Sequence, residues 1–260
     1  MIRIKFENIY FQSRVIKVVL LFITIIFVSS FSIYLSKLQK QGTGISNESN
    51  TGKFSNEKYP DLSNWKRPDG PIRVGLQAGH LKIDEVPLEL AKIKNNGGTS
   101  ANGLDEWQVN LSIANKTKKL LEEKGVVVDI LPATIPTGYF ADAFVAIHAD
   151  GSDDYKASGF KVASPRRDMS GKANRLQQAI SDTYGQITGL PKDPNITGNM
   201  TGYYAFSWRR FDHSLHPMTP ATILETGFLT NPRDAKLLTQ NSSVPAEAIA
   251  DAVLQFLGIT

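Results

Sequence analysis

Four side chains suited to metal binding or proton transfer stand at the ends of predicted strands or at the start of a predicted helix. His80 follows the predicted first strand at 72–78, His148 closes "AFVAIH", and Glu225 closes "ATILE". Glu106 lies in the first turn of a predicted helix that is entered from the same side. Two imidazoles and a carboxylate form a common open zinc set, in which one position is left for water. A second carboxylate could carry protons, because an amide nitrogen leaves poorly until it is protonated.

Each of these four signals also has a structural explanation. A histidine at a strand end is commonly a polar residue with ordinary hydrogen bonds. Glu106 could complement the dipole of its helix, and Glu225 could pair with Arg233 or another base. Spacing alone therefore leaves metal binding and structural roles open, whereas the shared position at one sheet edge favours a site.

The elements that carry these residues alternate between strand and helix. Strands are predicted over residues 72–78, 126–131, 143–149, 159–164 and 221–225, and helices over residues 106–124, 169–187 and 245–257, with a short helix that begins at Asn231 and Pro232. Asp105 is a suitable N-cap for the first long helix, and Gly125 is a suitable stop. The alternation is typical of an α/β domain with a largely parallel sheet. In such sheets ligands bind beyond the carboxyl ends of the strands.

Composition and charge limit the classes of function. The 260 residues include no cysteine, which excludes disulfides and thiolate metal sites. The net charge of +4 belongs to residues 1–70, which hold 10 basic and 5 acidic residues, whereas residues 71–260 hold 19 and 20. The main domain is therefore near neutral, and we expect no nucleic-acid partner.

The N-terminal part of the chain predicts a membrane anchor. The nearly unbroken apolar run 18–35 approaches the roughly 20 residues that cross a bilayer. The basic residues before it predict a cytoplasmic arm at 1–17, an anchor at 18–36 and an extracellular domain on a single-pass protein of the cell membrane. A cleaved signal peptide of a secreted protein is the alternative, although no A-x-A site follows. Residues 37–70, rich in Ser, Asn, Gly and Lys, predict a flexible linker, and residues 71–260 form the folded domain.

Four blocks in the folded domain carry a family resemblance: "VGLQAGH", "GLDEWQVNLSIANKTKKLLEEKGVVV", "ADAFVAIHADG" and "PATILETGFLTNPRDAKLL". In this order they resemble the motif blocks of zinc-dependent N-acetylmuramoyl-L-alanine amidases of the Amidase_3 type, over about residues 72–257. The resemblance implies a single α/β domain with a mostly parallel, twisted mixed sheet flanked by helices. It also implies one Zn²⁺ ion and hydrolysis of the amide bond between N-acetylmuramic acid and L-alanine in peptidoglycan.

Residue roles follow from the same resemblance. Carried over by position, His80, Glu106 and His148 would be the zinc ligands, and Glu225 the catalytic carboxylate. We expect a monomer whose partners are peptidoglycan and, through the N-terminal helix, the membrane.

The sequence departs from the family pattern in two places. The first block is usually D-P-G-H-G-G, whereas this chain has "QAGHLK", so Gln77 replaces an aspartate that could orient a metal ligand from the second shell. The stretch before His148 reads "LPATIPTGYFADA" and lacks the usual arginine-bearing helix. Substrate contacts made there in relatives therefore do not transfer.

Further candidates for substrate contacts lie in loops. His213 and His216, in "FDHSLHP", could contact the wall peptide or support an oxyanion. Arginines could bind carboxylates of the stem peptide in bidentate fashion, and the candidates are Arg166, Arg167, Arg209 and Arg210. Ordinary loop and surface roles are the alternatives for all six.

Two other functions fit parts of the pattern. One is a different zinc peptidase that acts on wall peptides, such as a carboxypeptidase-like enzyme, but its ligands usually begin with a His-x-x-Glu pair that His80 lacks. The other is a non-catalytic wall-binding regulator on the same fold. The presence of all four key residues argues against the regulator.

Overall fold

A computed structural model describes residues 62–101 and 103–260 of the chain. The predicted basic arm, the anchor and most of the predicted linker lie outside the described residues. Within the described part, no helix combines the length and the apolar character needed to cross a bilayer.

Five strands form the central sheet, and a small antiparallel hairpin stands apart from it. The sheet strands are β1 (Arg73–Ala78), β4 (Val127–Leu131), β5 (Ala143–Asp150), β6 (Lys161–Ala163) and β7 (Ala221–Phe228); the hairpin strands are β2 (Ser100–Ala101) and β3 (Leu104–Asp105). The order across the sheet is β4-β1-β5-β7-β6, and only β6 runs antiparallel to its neighbour. The predicted mostly parallel mixed sheet is therefore confirmed.

Five helices and three short 3₁₀ turns complete the domain. The helices are α1 (Glu106–Glu122), α2 (Ala173–Thr188), α3 (Gly198–Thr201), α4 (Pro232–Gln240) and α5 (Ser243–Leu257), and the 3₁₀ turns are Ile83–Glu85, Leu88–Ile93 and Tyr204–Phe206. The predicted signals at the ends of α1 are present, since Asp105 and Gln108 form a capping box and Gly125 adopts a left-handed conformation. Sequence reasoning did not predict α3, the hairpin or the last 3₁₀ turn.

The two faces of the sheet are covered differently. Val145, Ile147 and Leu224 belong to the core cluster shared with helices α1, α2 and α5. Phe144, Ala146 and Ile223 belong to a second cluster, which is made with loops and short helical turns. Because side chains alternate along a strand, His148 and Glu225 lie on the second face, under the loop layer.

Strands β5 and β7 run further than the sequence predicts. The strands were predicted to end at residues 149 and 225, but β5 continues to Asp150 and β7 to Phe228. The two strands pair past the site, with a shift in their register between His148 and Asp150. Asp234 then fixes the end of β7, accepting a backbone hydrogen bond from Phe228 at 3.1 Å.

The chain joins the domain at the amino ends of the parallel strands. Trp65 stacks on His216 with ring centroids 5.6 Å apart, and Arg67 donates to Asp142 at 2.6 Å. The compact unit that holds the sheet extends over residues 61–260, so it includes the last part of the segment predicted as linker.

Candidate metal centre and active site

Three side chains converge at the carboxyl edge of the sheet. His80, Glu106 and His148 each offer a nitrogen or oxygen atom, and these atoms lie within 4.8 Å of one another. Glu106 Oε1 is 3.4 Å from His80 Nε2 and 3.1 Å from His148 Nδ1. This is the one group of potential metal ligands of this kind within residues 62–101 and 103–260. Three of the four sequence candidates therefore meet at one point.

His80 is held at the end of β1 in an uncommon backbone conformation. Its φ of 62° lies in the left-handed region, which is sparsely populated by residues other than glycine and is found at functional sites. Its Nδ1 lies 2.7 Å from the backbone oxygen of Asn96. Since a carbonyl can only accept, Nδ1 carries a hydrogen, and Nε2 is the nitrogen that faces Glu106.

Glu106 is a buried carboxylate with many donors. Oε2 accepts from the backbone of Thr99 at 2.9 Å, and Oε1 accepts from the backbone of Ala149 at 3.1 Å and from Asn110 at 3.2 Å. Burial alone would raise the pKa of Glu106, but its bonds with His148 and His80 hold the pKa well below the ordinary value. The group is therefore ionised, as a metal ligand must be.

The glycine-rich loop before α1 approaches this carboxylate closely. A Cβ atom on Gly98 would lie 2.4 Å from Glu106 Oε2 and 2.8 Å from His80 Cδ2. Gly98 also has a φ of 80°. Both the space and the backbone conformation thus require glycine at this position.

His148 and Glu225 are neighbours across the sheet. They are register partners in the parallel pair of β5 and β7, so their side chains leave the sheet on the same face. Both residues, together with His80, line an open cleft of about 420 Å³. All four sequence candidates are thus in or directly beneath this cleft.

Glu225 lies in surroundings that oppose its charge. Burial raises its pKa well above the ordinary value, and the nearby carboxylates of Asp150 and Glu106 add to the effect, whereas Lys161 acts against it. Lys161 itself contacts Asp150 and lies 3.3 Å from Asp193. Among the described residues no ion pair joins Glu225 to Arg233, and the base that acts on the charge of Glu225 is Lys161.

Sequence reasoning missed one residue of the site, Tyr203. Its hydroxyl lies 3.2 Å from His148 Nε2 and donates to Gln77 Oε1 at 3.0 Å. Gln77, expected to act near a metal ligand, reaches His148 only through this tyrosine. Burial raises the pKa of Tyr203 well above its ordinary value, which keeps the phenol neutral. No local sequence signal marks Tyr203, because its partners are distant in the chain.

The candidate substrate residues divide into two groups. Arg210 lines the main cleft and also an adjoining cleft of about 260 Å³ that contains Arg166, Arg167 and Arg209. The two histidines line neither cleft. His213 lies 2.6 Å from Glu89, and His216 packs on Trp65 at the other end of the sheet.

Comparison with known proteins decides the family. Residues 74–255 match the family described as Amidase_3, N-acetylmuramoyl-L-alanine amidase, which is more than half of the chain. The chain belongs to this family. The amidase resemblance of the four sequence blocks is thereby confirmed.

Relatives of this amidase include enzymes of different lengths. The N-acetylmuramoyl-L-alanine amidase AmiA of Escherichia coli (strain K12) is 25% identical over 74% of this chain and 78% of its own length. LytC of Bacillus subtilis (strain 168), also an N-acetylmuramoyl-L-alanine amidase, is 25% identical over 62% of this chain, which spans only 33% of LytC.

Solved structures confirm the amidase fold. The amidase Ami1 from Mycobacterium smegmatis superposes with a TM-score of 0.53 at 20% identity, covering 72% of this chain and 97% of that chain. AmiC2 of Nostoc punctiforme gives a TM-score of 0.51 at 22% identity, covering 74% of this chain and 99% of that chain.

Proposed function

We propose that this amidase hydrolyses the amide bond between N-acetylmuramic acid and L-alanine in peptidoglycan. In this proposal Zn²⁺ is held by His80, Glu106 and His148, and Glu225 carries the proton. One observation carries the proposal: in a chain of the amidase family, two of three convergent ligand residues line the same cleft as a carboxylate of raised pKa.

The donor set fits zinc. Two neutral imidazole nitrogens and one ionised carboxylate are a usual protein ligand set for Zn²⁺, with room left for water or substrate. His80 has the carbonyl partner that ligating histidines commonly have on their second nitrogen. Zinc in such a site supplies Lewis acidity, which allows water to react near neutral pH.

Glu225 would act first as the general base and then as the general acid. Its raised pKa brings the carboxyl closer to neutral pH, where it can accept a proton from the attacking water and then donate it to the leaving nitrogen of L-alanine. The position of Glu225 supports this role, because it faces the cleft beside His148 without belonging to the convergent group of ligands.

Substrate binding would use the arginines rather than the histidines. Arg210 connects the main cleft to the adjoining arginine-lined cleft, and the two clefts could hold the reacting bond and the acidic part of the stem peptide. Arg209 would contribute through the second cleft. A role for His213 and His216 in substrate binding stays a prediction, and it would be exerted through the loop that carries Arg210.

Location follows from the sequence rather than from the described residues. We propose that residues 18–36 anchor the protein in the cell membrane and leave the amidase domain outside, where peptidoglycan lies. Labelling of the intact protein in membranes, and N-terminal sequencing of the mature protein, separates the anchored form from a secreted one. A mature chain that begins after residue 36 contradicts the anchor.

Product analysis tests the reaction. Purified sacculi are digested with the full-length protein, with and without a chelator, and the fragments are analysed by mass. We expect stem peptides that begin with a free L-alanine amino group, and no release in the presence of chelator. Cuts within the stem would instead identify a peptidase, and intact sacculi with bound protein would identify a wall-binding regulator.

A further inference from the structure

We propose that Gln77 and Tyr203 are positioning residues that fix the imidazole of His148 with its hydrogen on Nε2, so that Nδ1 is the nitrogen that binds zinc. The inference rests on the proposed zinc site, but it concerns a chain of hydrogen bonds below that site. In this series of hydrogen bonds each donor and each acceptor can be assigned, starting from the backbone carbonyl of Pro132 at the end away from His148.

The orientation of the Gln77 amide comes first. Gln77 Nε2 lies 3.0 Å from the backbone oxygen of Pro132 and 2.6 Å from the hydroxyl of Tyr204. With the amide turned over, the oxygen of Gln77 would face the oxygen of Pro132, and two acceptors would oppose each other. The hydroxyl of Tyr204 donates onward to the backbone oxygen of Ala133, so it accepts from Gln77. The amide oxygen of Gln77 must therefore point the other way, towards Tyr203.

The direction of the Tyr203 hydroxyl follows. A phenol has a single hydrogen, and the amide oxygen of Gln77, 3.0 Å away, can only accept it. The oxygen of Tyr203 is then available as an acceptor for its other partner, His148 Nε2, at 3.2 Å. For this contact to be a hydrogen bond, Nε2 must carry the hydrogen.

The tautomer of His148 is thereby set. A neutral imidazole has one N–H, so with the hydrogen on Nε2 the lone pair is on Nδ1. Nδ1 is also the nitrogen that lies 3.1 Å from Glu106 Oε1, in the convergent group. His80 is fixed in the opposite sense, because Asn96 takes the hydrogen of its Nδ1 and leaves Nε2 to bind. The two histidines would thus bind zinc through different nitrogens.

Burial of Gln77 prevents water from replacing any of its hydrogen-bond partners. Gln77 is fully buried, so no solvent molecule replaces a partner that turns away. Both amide hydrogens and the amide oxygen of Gln77 have protein partners. A carboxylate at this position, as is usual in the family, could accept from Tyr203 but could not donate to Pro132 or Tyr204. Glutamine therefore suits the two tyrosines that cover it here.

Removal of either residue should weaken metal binding. Tyr203→Phe deletes the acceptor for Nε2–H, and Gln77→Leu frees the hydroxyl of Tyr203 to donate to Nε2, which favours the wrong tautomer. We expect each variant of the full-length protein to bind zinc about 10–100-fold more weakly in competition with a chromophoric chelator. The double variant should lose little more than one single variant, because both changes break the same chain.

A matched control separates this role from general loss of stability. Tyr184→Phe removes another buried tyrosine hydroxyl, which donates to the backbone of Thr226 at 2.8 Å and contacts none of the proposed ligands. It should lower the melting temperature while leaving zinc affinity unchanged. Unchanged zinc affinity in both Tyr203→Phe and Gln77→Leu, or a fall in all three variants that follows only their melting temperatures, would overturn the inference.

A second measurement needs no variant. Nitrogen-15 NMR of the zinc-loaded protein reports the protonated nitrogen of each of its four histidines. We expect His148 with hydrogen on Nε2 and His80 with hydrogen on Nδ1. Hydrogen on Nδ1 of His148 would overturn the inference even if zinc is bound, whereas failure of the wild-type protein to bind zinc at these residues would overturn the proposed function itself.

Discussion

His148 and Glu225 lie directly opposite each other on neighbouring parallel strands, and their side chains emerge on the same face of the sheet. Their separation is therefore set by strand pairing, at about 4.8 Å between strands, and not by loop conformation. A slip of one residue in the register would turn one of the two side chains to the helix-covered face. The spacing between a proposed metal ligand and the proposed proton carrier is thus fixed by the pairing of two core strands.

The contact between Gly98 and Glu106 gives a prediction about metal affinity. In Gly98→Ala the new methyl group would collide with Glu106 Oε2, since the two atoms would be 2.4 Å apart. We expect zinc affinity to fall about 10–100-fold, the range seen when a metal ligand loses a hydrogen-bond partner that orients it. Isothermal titration or chelator competition on the purified protein measures the change.

Two nearby glycines provide controls for Gly98. Gly103 has a similar φ of 75°, and Cβ atoms on Gly103 and Gly97 would meet nothing within 4 Å. Gly103→Ala should cost stability through backbone strain, of order 1 kcal/mol, without a change in zinc affinity. Gly97→Ala should change neither. Equal zinc affinity in Gly98→Ala and Gly103→Ala would contradict the proposed contact.

The raised pKa of Glu225 predicts a pH-dependent cost in stability. Below its ordinary value of 4.5, Glu225 is protonated in both the folded and the unfolded chain and costs nothing. As the pH rises through that value the unfolded chain ionises first, so the free energy of unfolding falls until the folded pKa is reached. In the metal-free protein, Glu225→Gln should therefore be more stable than wild type, by an amount that grows above pH 4.5.

Denaturant unfolding at a series of pH values tests this stability difference. Glu247, an exposed residue of α5, serves as the control, because Glu247→Gln removes an equal charge at the surface. If the free energy of unfolding differs by a constant amount between Glu225→Gln and wild type from pH 4 to 8, the raised pKa of buried Glu225 is contradicted. The outcome would also bear on function, since active-site groups are often held at a cost in stability.

Arg210 gives a prediction about substrate charge. If it binds a stem-peptide carboxylate, Arg210→Ala loses a charge-assisted hydrogen bond of about 1.5–3 kcal/mol. We expect kcat/KM to fall about 10–100-fold on muropeptides with free carboxylates and much less on muropeptides whose carboxylates are amidated. Lys124→Ala, which removes one exposed charge that lines neither cleft, should have little effect on either substrate. An equal loss on the two substrates would exclude carboxylate recognition.

Much of the scaffold could be predicted from local sequence. The capping signal of Asn231 and Pro232 is present at the start of α4, where the Asn231 side chain accepts from Arg233 at 2.9 Å. Helix α1 begins next to Asp105 as predicted. These features depend on neighbouring residues, so short-range chemistry decides them. The edge rule for parallel sheets then brought His80, Glu106, His148 and Glu225 together, because it depends only on strand direction.

The rest of the site depends on contacts between distant parts of the chain. Tyr203 is 55 residues from His148 and 126 residues from Gln77, so only the folded loop layer brings the three together. His216 looked available in its loop, but it packs against Trp65, a residue that sequence composition placed in the linker. Loop layers lack the periodicity by which strands and helices are predicted, and their contacts therefore could not be derived beforehand.

The roles assigned to the two carboxylates can be tested by measuring zinc content and sacculus digestion on the same preparation of Glu225→Gln. The account predicts one zinc per chain, as in wild type, with digestion lowered by about 10²–10⁴-fold, the usual contribution of a general acid–base group. His80→Ala, the parallel control, should lose both zinc and digestion. Loss of zinc from Glu225→Gln would make Glu225 a ligand, and full digestion by that variant would contradict the proposed mechanism.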